Sequence, residues 1–304
     1  MGLFGCALGS AENPAFIRNL TVKNVDVVGF FLVGGVIGLQ HRGCFVENVS
    51  LTGNNTVKGI QGVGGIVGTA FENIERCSAV ADIVVSGDWG YESACAGIVA
   101  GGTEEGSLVR CTAQGGSIVA KGDDAWGIGG VSGAPYAAAE ITDCKVQNVT
   151  ITANGSNNRL IGGLAGFAGA YGDSDPAVIS RCIVTGVAIN VSDSTTCVGG
   201  LVGGSTEGSS QPLPSFFIVE DCSASGSIAG GGYPIGSIVG YAYRSTVKNC
   251  TDAVSWDGGH LEQVGLEEPA RSFGSGSGSG CSTSLGVFEL LVLTGIALIK
   301  RKTR

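Results

Sequence analysis

Cysteine offers the most chemistry in this chain, with eleven residues. Six of them, Cys77, Cys111, Cys144, Cys182, Cys222 and Cys250, share one setting: an Ile, Leu or Val lies three positions upstream of each. They recur singly, with no Cys-x-x-Cys pair, and the chain has only two His, so a zinc centre does not follow. The same column reads Leu20 and Val49 nearer the start, which marks a small buried apolar position where a free thiol also fits. Reduced, stacked thiols are the reading. Disulfides between stacked neighbours are the alternative, disfavoured because parallel Cβ vectors give a poor dihedral angle. Cys95 and Cys197 fall in apolar segments and read as core.

The acids are scattered. Asp123-Asp124 precede Trp126, and Asp173 and Asp175 share one inserted stretch. Carboxylates about 5–10 Å apart can hydrolyse a glycosidic bond, and closely spaced acids can hold Ca²⁺, but the twelve-residue calcium-loop spacing is missing. Acidic loop tips more simply read as solvated faces. The candidate binding residues are Tyr171, Asp173 and Asp175 in one insertion, Glu207 and Phe216 in another, and the aromatics Trp126 and Tyr233, which share a repeat column with Phe31. Aromatic faces beside acids suit sugar rings. The competing reading has them cover a corner of the fold. No catalytic residue, metal or cofactor is predicted.

Composition sets the frame for these groups. Of 304 residues, 54 are Gly and 7 are Pro; 43% are hydrophobic and only 14% charged. So much apolar material argues against disorder, and so little Pro against collagen. Gly costs about 1 kcal/mol at each interior helix position, which argues against a helical fold. A net charge of −9 disfavours a nucleic-acid partner.

A repeat organises the whole. Its signature, two small residues, two apolar residues and a closing Gly, occurs as 34–38, 64–68, 96–100, 129–133, 162–166, 199–203 and 236–240, with a shortened copy at 2–5. The column ending in Leu, Val or Cys runs in phase with it eight times, from Ile17–Leu20 to Val247–Cys250. Each period of roughly 33 residues holds about three short strands separated by Gly, Asn, Asp or Ser turns. Seven Asn-x-Ser/Thr triplets, Asn19, Asn48 and Asn148 among them, read as turn chemistry. One period cannot bury its own apolar face, but stacked periods can. The predicted fold is all-β, a right-handed parallel β-helix (β-solenoid) of about eight coils over residues 1–250, the hand following from the crossover preference. A β-propeller is the competing architecture, but its blades are longer and carry aromatic signatures.

Two insertions lengthen the connection that follows the closing Gly in coils six and seven, around 171–175 and 206–217, and both must leave the same edge. Residues 251–273 break the pattern and read as a cap, with Trp256 and His260 packing it. Residues 274–284 form a Gly/Ser linker containing Cys281. Residues 285–304 hold an apolar run from Leu285 to Ile299, broken by Glu289 and closed by Lys300, Arg301, Lys302 and Arg304. That run is expected as a short membrane-anchoring helix with its basic end cytoplasmic; a packing helix is the alternative. The chain begins in mid-repeat without a signal-peptide pattern, which suggests a coil set cut short, as against a genuine start.

The Gly-Gly-apolar-apolar-Gly repeat over residues 2–250 resembles the GLUG-motif repeats of bacterial surface proteins. The tail resembles C-terminal sorting signals, most closely the Synergistetes type. These resemblances imply a cell-surface, adhesin-type protein retained by its tail. Envelope sorting machinery would act near Gly280-Cys281, with Cys281 as attachment point; an inert linker thiol is the alternative. The expected function is a non-enzymatic structural or adhesive stalk that presents loops to a glycan or protein ligand. The other reading is an accessory repeat region of a larger secreted peptidase or glycan-active enzyme.

Overall fold

The computed structural model describes residues 1–86, 94–136, 139–169, 175–205, 217–243 and 245–268. Across these the chain is all-β, a solenoid in which every strand pairs in parallel with its equivalent one coil away. Three sheets run the length of the stack, with nine, seven and seventeen strands. At about 4.8 Å per layer, nine rungs make a rod on the order of 40 Å long.

Each coil has the same course, shown by the fourth signature copy. Trp126–Gly129 lies in the seven-stranded sheet; the chain then arches through Gly130 and Val131 into Ser132–Tyr136 of the nine-stranded sheet. It returns along the seventeen-stranded sheet as Glu140–Thr142, Lys145–Gln147 and Thr150–Ala153. The main core lies between the arch and this return path. It is a continuous column of aliphatics and thiols, including Val36, Ile66, Val131, Leu164 and Leu201 from the arch.

The arch explains the signature glycines. A Cβ on Gly129 would lie under 3.0 Å from the Ser132 carbonyl, and one on Gly130 equally close to the Gly163 carbonyl of the next coil. A Cβ on the closing Gly133 would strike backbone of Ala96 in the coil before. The nine- and seven-stranded sheets therefore meet backbone to backbone.

Register corrects one copy of the repeat. Gly97 pairs with Gly64 and Gly129, and Ala100 with Val67 and Ser132. The third signature is thus 97–101, with Val99 rather than Ile98 at its centre. Ile98 occupies a position held elsewhere by Gly, and it is fully buried in the main core. The seventeen-stranded sheet of that coil offers Ala113, Gly115 and Gly116, which leaves space for the larger side chain.

The second column holds register throughout, Ile17, Val46, Ile74, Leu108, Ile141, Ile179, Val219 and Val247 pairing in succession. In the segment expected as a cap, Thr251–Trp256 pairs with Ser223–Ala229 and Val264–Glu268 adds the ninth rung. Trp256 packs against the core and its indole N–H donates to the Gly230 carbonyl at 2.9 Å. His260 does not pack as expected; it is exposed and pairs with Glu262 at 3.4 Å.

Candidate functional site

Two places bear on function: the edge that carries the insertions, and the corner where the cysteine column sits. At the edge, Phe167 pairs with Gly204 and Ala177 with Phe217. The two insertions therefore leave from neighbouring rungs of one sheet and return to neighbouring rungs of another. Asp175 is exposed at the foot of the first loop. Tyr171, Asp173, Glu207 and Phe216 lie outside the described residues, as does the tail from 269 to 304 with its linker, Cys281 and apolar run.

The aromatic column divides. Tyr233 is 69% exposed and Phe31 41%. Trp126 is only 3% exposed, so it offers no face to a ligand. It meets Phe167 edge-on at 5.5 Å and Tyr136 at 6.1 Å, in a second, smaller core with Cys95, Leu160 and Cys197. The burial of Trp126 comes from partners 10 and 41 residues away, which its local sequence does not announce. In the third coil this column is held by Ala94, two residues before Ala96 as Trp126 is before Ile128, and it is buried.

Asp123 and Asp124 are both exposed. The Ser156 N–H donates to Asp123 Oδ1 at 2.7 Å, which holds this carboxyl below the usual carboxylate range. Asp123 thus ties one coil to the next and stays ionised, the wrong state for a general acid. Among the described residues no group of three or more His, Cys, Asp or Glu is placed to hold a metal ion, and no helix is long and apolar enough to cross a membrane.

The corner is more informative. The residue before each member of the thiol column is left-handed in all eight coils: Asn19, Asn48, Arg76, Arg110, Asp143, Arg181, Asp221 and Asn249, with φ between 51° and 56°. Asn and Asp tolerate this region and local polar bonds favour it. Asn48 Nδ2 donates to Asn19 Oδ1 at 2.8 Å, and Asn249 Nδ2 to Asp221 Oδ1 at 3.1 Å. The three Arg gain ion pairs instead. Arg76 bridges Glu47 and Glu75, and Arg181 grips both oxygens of Asp143 at 2.9 and 3.1 Å.

The left-handed step breaks the regular rungs and strands backbone groups inside the corner, and the thiols satisfy them. Cys144 Sγ donates to the Leu108 carbonyl at 3.3 Å and accepts the Cys111 N–H at 3.3 Å. Cys111 donates to the Ile74 carbonyl and Cys182 to the Ile141 carbonyl, each at 3.3 Å. The Cys182 N–H in turn donates to Cys222 Sγ at 3.3 Å. Sequence reasoning found the column but read it only as small and apolar. What it missed is that a thiol is the one such side chain that both donates and accepts. All six thiols are free. Burial pushes the Cys95 thiol up to about 12 and carries Cys111 higher still. Buried neutral thiols of this kind are poor nucleophiles.

A family model, the GLUG motif, matches residues 194–229, which is one full coil including the second insertion. No curated protein and no solved structure matches the chain.

Proposed function

We propose that this chain is a non-enzymatic cell-surface stalk whose solenoid holds recognition loops away from the envelope. The observation that carries the reading is the unbroken core beneath nine in-register rungs, with both long insertions rooted on adjacent rungs of one edge. Such a stack transmits position along its length and concentrates two loops in one place, where a glycan or protein ligand would meet them. The GLUG motif, matched over one coil, supports the repeat architecture of such a stalk. Retention falls to the tail: the Gly/Ser linker gives reach, Leu285 to Ile299 gives an anchor or sorting signal, and Cys281 gives an attachment point.

Two experiments test this. On intact cells of the producing bacterium, an antibody against the 206–216 loop should bind, and deletion of 285–304 should release the protein into the medium. Labelling only after lysis rules out surface display. For recognition, the chain is applied to a glycan array, and binding should be lost on deleting 206–216; binding that survives the deletion removes the loop-edge role.

A further inference from the structure

Six consecutive coils place a thiol at the same inside corner. The residues that follow these cysteines pair in register, from Ser78 through Thr112, Lys145, Ile183 and Ser223 to Thr251. The thiols therefore form one file with a sulfur in every rung, and rungs of a parallel stack lie ~4.8 Å apart. Each sulfur interacts directly with the next, from Cys77 through Cys111, Cys144, Cys182 and Cys222 to Cys250. Six free thiols in file leave five gaps between neighbours.

What a gap can hold is set by its walls. Among the described residues no group of three or more His, Cys, Asp or Glu is placed around one ion. Tetrahedral zinc and oxygen-seeking calcium are therefore unsuited. Each gap offers two soft sulfurs, one above the other, in a core lined by Ile74, Leu108, Ile141 and Ile179. A metal–thiolate bond is ~2.3 Å long, so a linear sulfur–metal–sulfur unit spans ~4.6 Å, close to one rung. Thiolate selects soft ions with a filled d shell, Cu(I) first among them, and such ions accept two ligands in a line. The backbone is already set for thiolates. The Val49 N–H donates to Cys77 Sγ at 3.4 Å, the Cys111 N–H to Cys144 Sγ and the Cys182 N–H to Cys222 Sγ, both at 3.3 Å. Donors of this kind steady a sulfur ligand and tune the metal.

We propose that the thiol column is a file of two-coordinate sites for Cu(I), each ion held between the sulfurs of successive coils. Each ion replaces one thiol proton. The S–H bond breaks, the resulting thiolate and a lone pair of the neighbouring sulfur bind the metal, the proton leaves to solvent and no electron is transferred. Between Cys111 and Cys144 the displaced proton is the one that Cys144 donates to the Leu108 carbonyl. Filling all five gaps releases five protons and leaves one of the six thiols protonated, so the core gains no net charge, as its apolar walls require. Because the sulfurs are buried, ions enter as the chain folds or as coils open. Once in place, each ion staples two coils together.

The test uses the full, reduced chain carrying Cys6→Ser and Cys281→Ser, which removes two thiols outside the column. One sample is unfolded in urea and refolded without oxygen in excess Cu(I), supplied as its acetonitrile complex. A second is incubated with the same complex in urea too dilute to unfold it. Native mass spectrometry counts the bound copper, and thermal unfolding follows its effect. Five ions and a raised melting temperature are expected, since a ligand of the folded column stabilises it. Cys144→Val splits the file into Cys77–Cys111 and Cys182–Cys222–Cys250, so it should lose two ions. Cys77→Val, at one end of the file, should lose one, and Cys95→Ala, outside it, none. Val49 already fills this position one coil before Cys77, so both Val variants carry a side chain the corner accepts. Equal losses for Cys144→Val and Cys77→Val would mean independent thiols, and a lowered melting temperature would mean copper held by the unfolded chain. Either result overturns the proposal, as does the absence of uptake in both samples.

Discussion

Every coil turns twice in ways that matter, and the two turns are built on opposite principles. At the arch, backbone meets backbone, and the first and closing signature positions are Gly in all seven full copies because a Cβ there would strike backbone, while the position between them also takes Ile98 and Ser237. At the corner, one residue adopts a left-handed conformation with its side chain outward, and Asn, Arg and Asp all serve there. The arch is specified by exclusion. The corner is specified by two complementary columns, polar outside and thiol inside, each satisfying what the turn leaves open. The contrast shows why one turn reads as a motif while the other varies freely along the same stack.

The sharpest way to break the arch is Gly166→Ala. The new Cβ would lie under 3.0 Å from backbone atoms of Gly127, Ile128 and Leu160, none of which can move aside alone. A loss of more than ~3 kcal/mol is expected in urea unfolding, or no soluble protein. Alkaline pH attacks the inside of the corner and the second core next. Apart from Cys77, whose hydrogen bond with Cys111 lowers it, the folded thiols of the column titrate above the ordinary value of 9.0, as does Cys95, near 12. The unfolded chain therefore loses protons first as pH rises. Stability should be level below pH 9 and decline from there towards 12, by about 1.4 kcal/mol per pH unit for each such thiol. A melting temperature unchanged between pH 8 and 11 contradicts this.

Cys144→Ala removes both sulfur hydrogen bonds and opens a small cavity, at a cost of ~1–3 kcal/mol. Cys144→Val refills the space without restoring the bonds, so it should recover only part of the loss. Full recovery would mean that the column is merely apolar, as at Val49. The smallest effect belongs to the outside of the corner. Arg181 holds the Asp143 carboxyl below its usual range. A depressed carboxyl contributes stability above its unfolded value and loses it as pH falls through the folded one. Asp143→Asn should therefore lower the melting temperature slightly at pH 7 and leave it unchanged in acid, where wild type and variant converge.

How far the sequence disclosed this fold follows from the same contrast. Glycines without alternative leave a legible trace, and both the parallel stack and the interior thiol column could be read from phased columns. The reading slipped by one residue in coil three, where Ala96 mimics a small signature position and Ile98 fills one opposite Ala113 and Gly116. The left-handed corner was hinted at by Asn19 and Asn48 but hidden by Arg76, Arg110 and Arg181, which seldom adopt that conformation and are held there by acids one coil away. The candidate binding residues were less legible still. Exposure depends on partners distant in sequence, so Trp126 and Tyr233 looked equivalent in their column, yet one is core and the other open to solvent.

The parallel stacking has a mechanical corollary. Inter-coil hydrogen bonds in all three sheets point along the rod, so a pull on its two extremities strains one layer's bonds at a time instead of shearing the stack as a block. A coil of roughly 33 residues peeled in this way pays out about 100 Å of extended chain. Under flow, a tether of this design would lengthen stepwise and absorb a jolt as successive sacrificial layers.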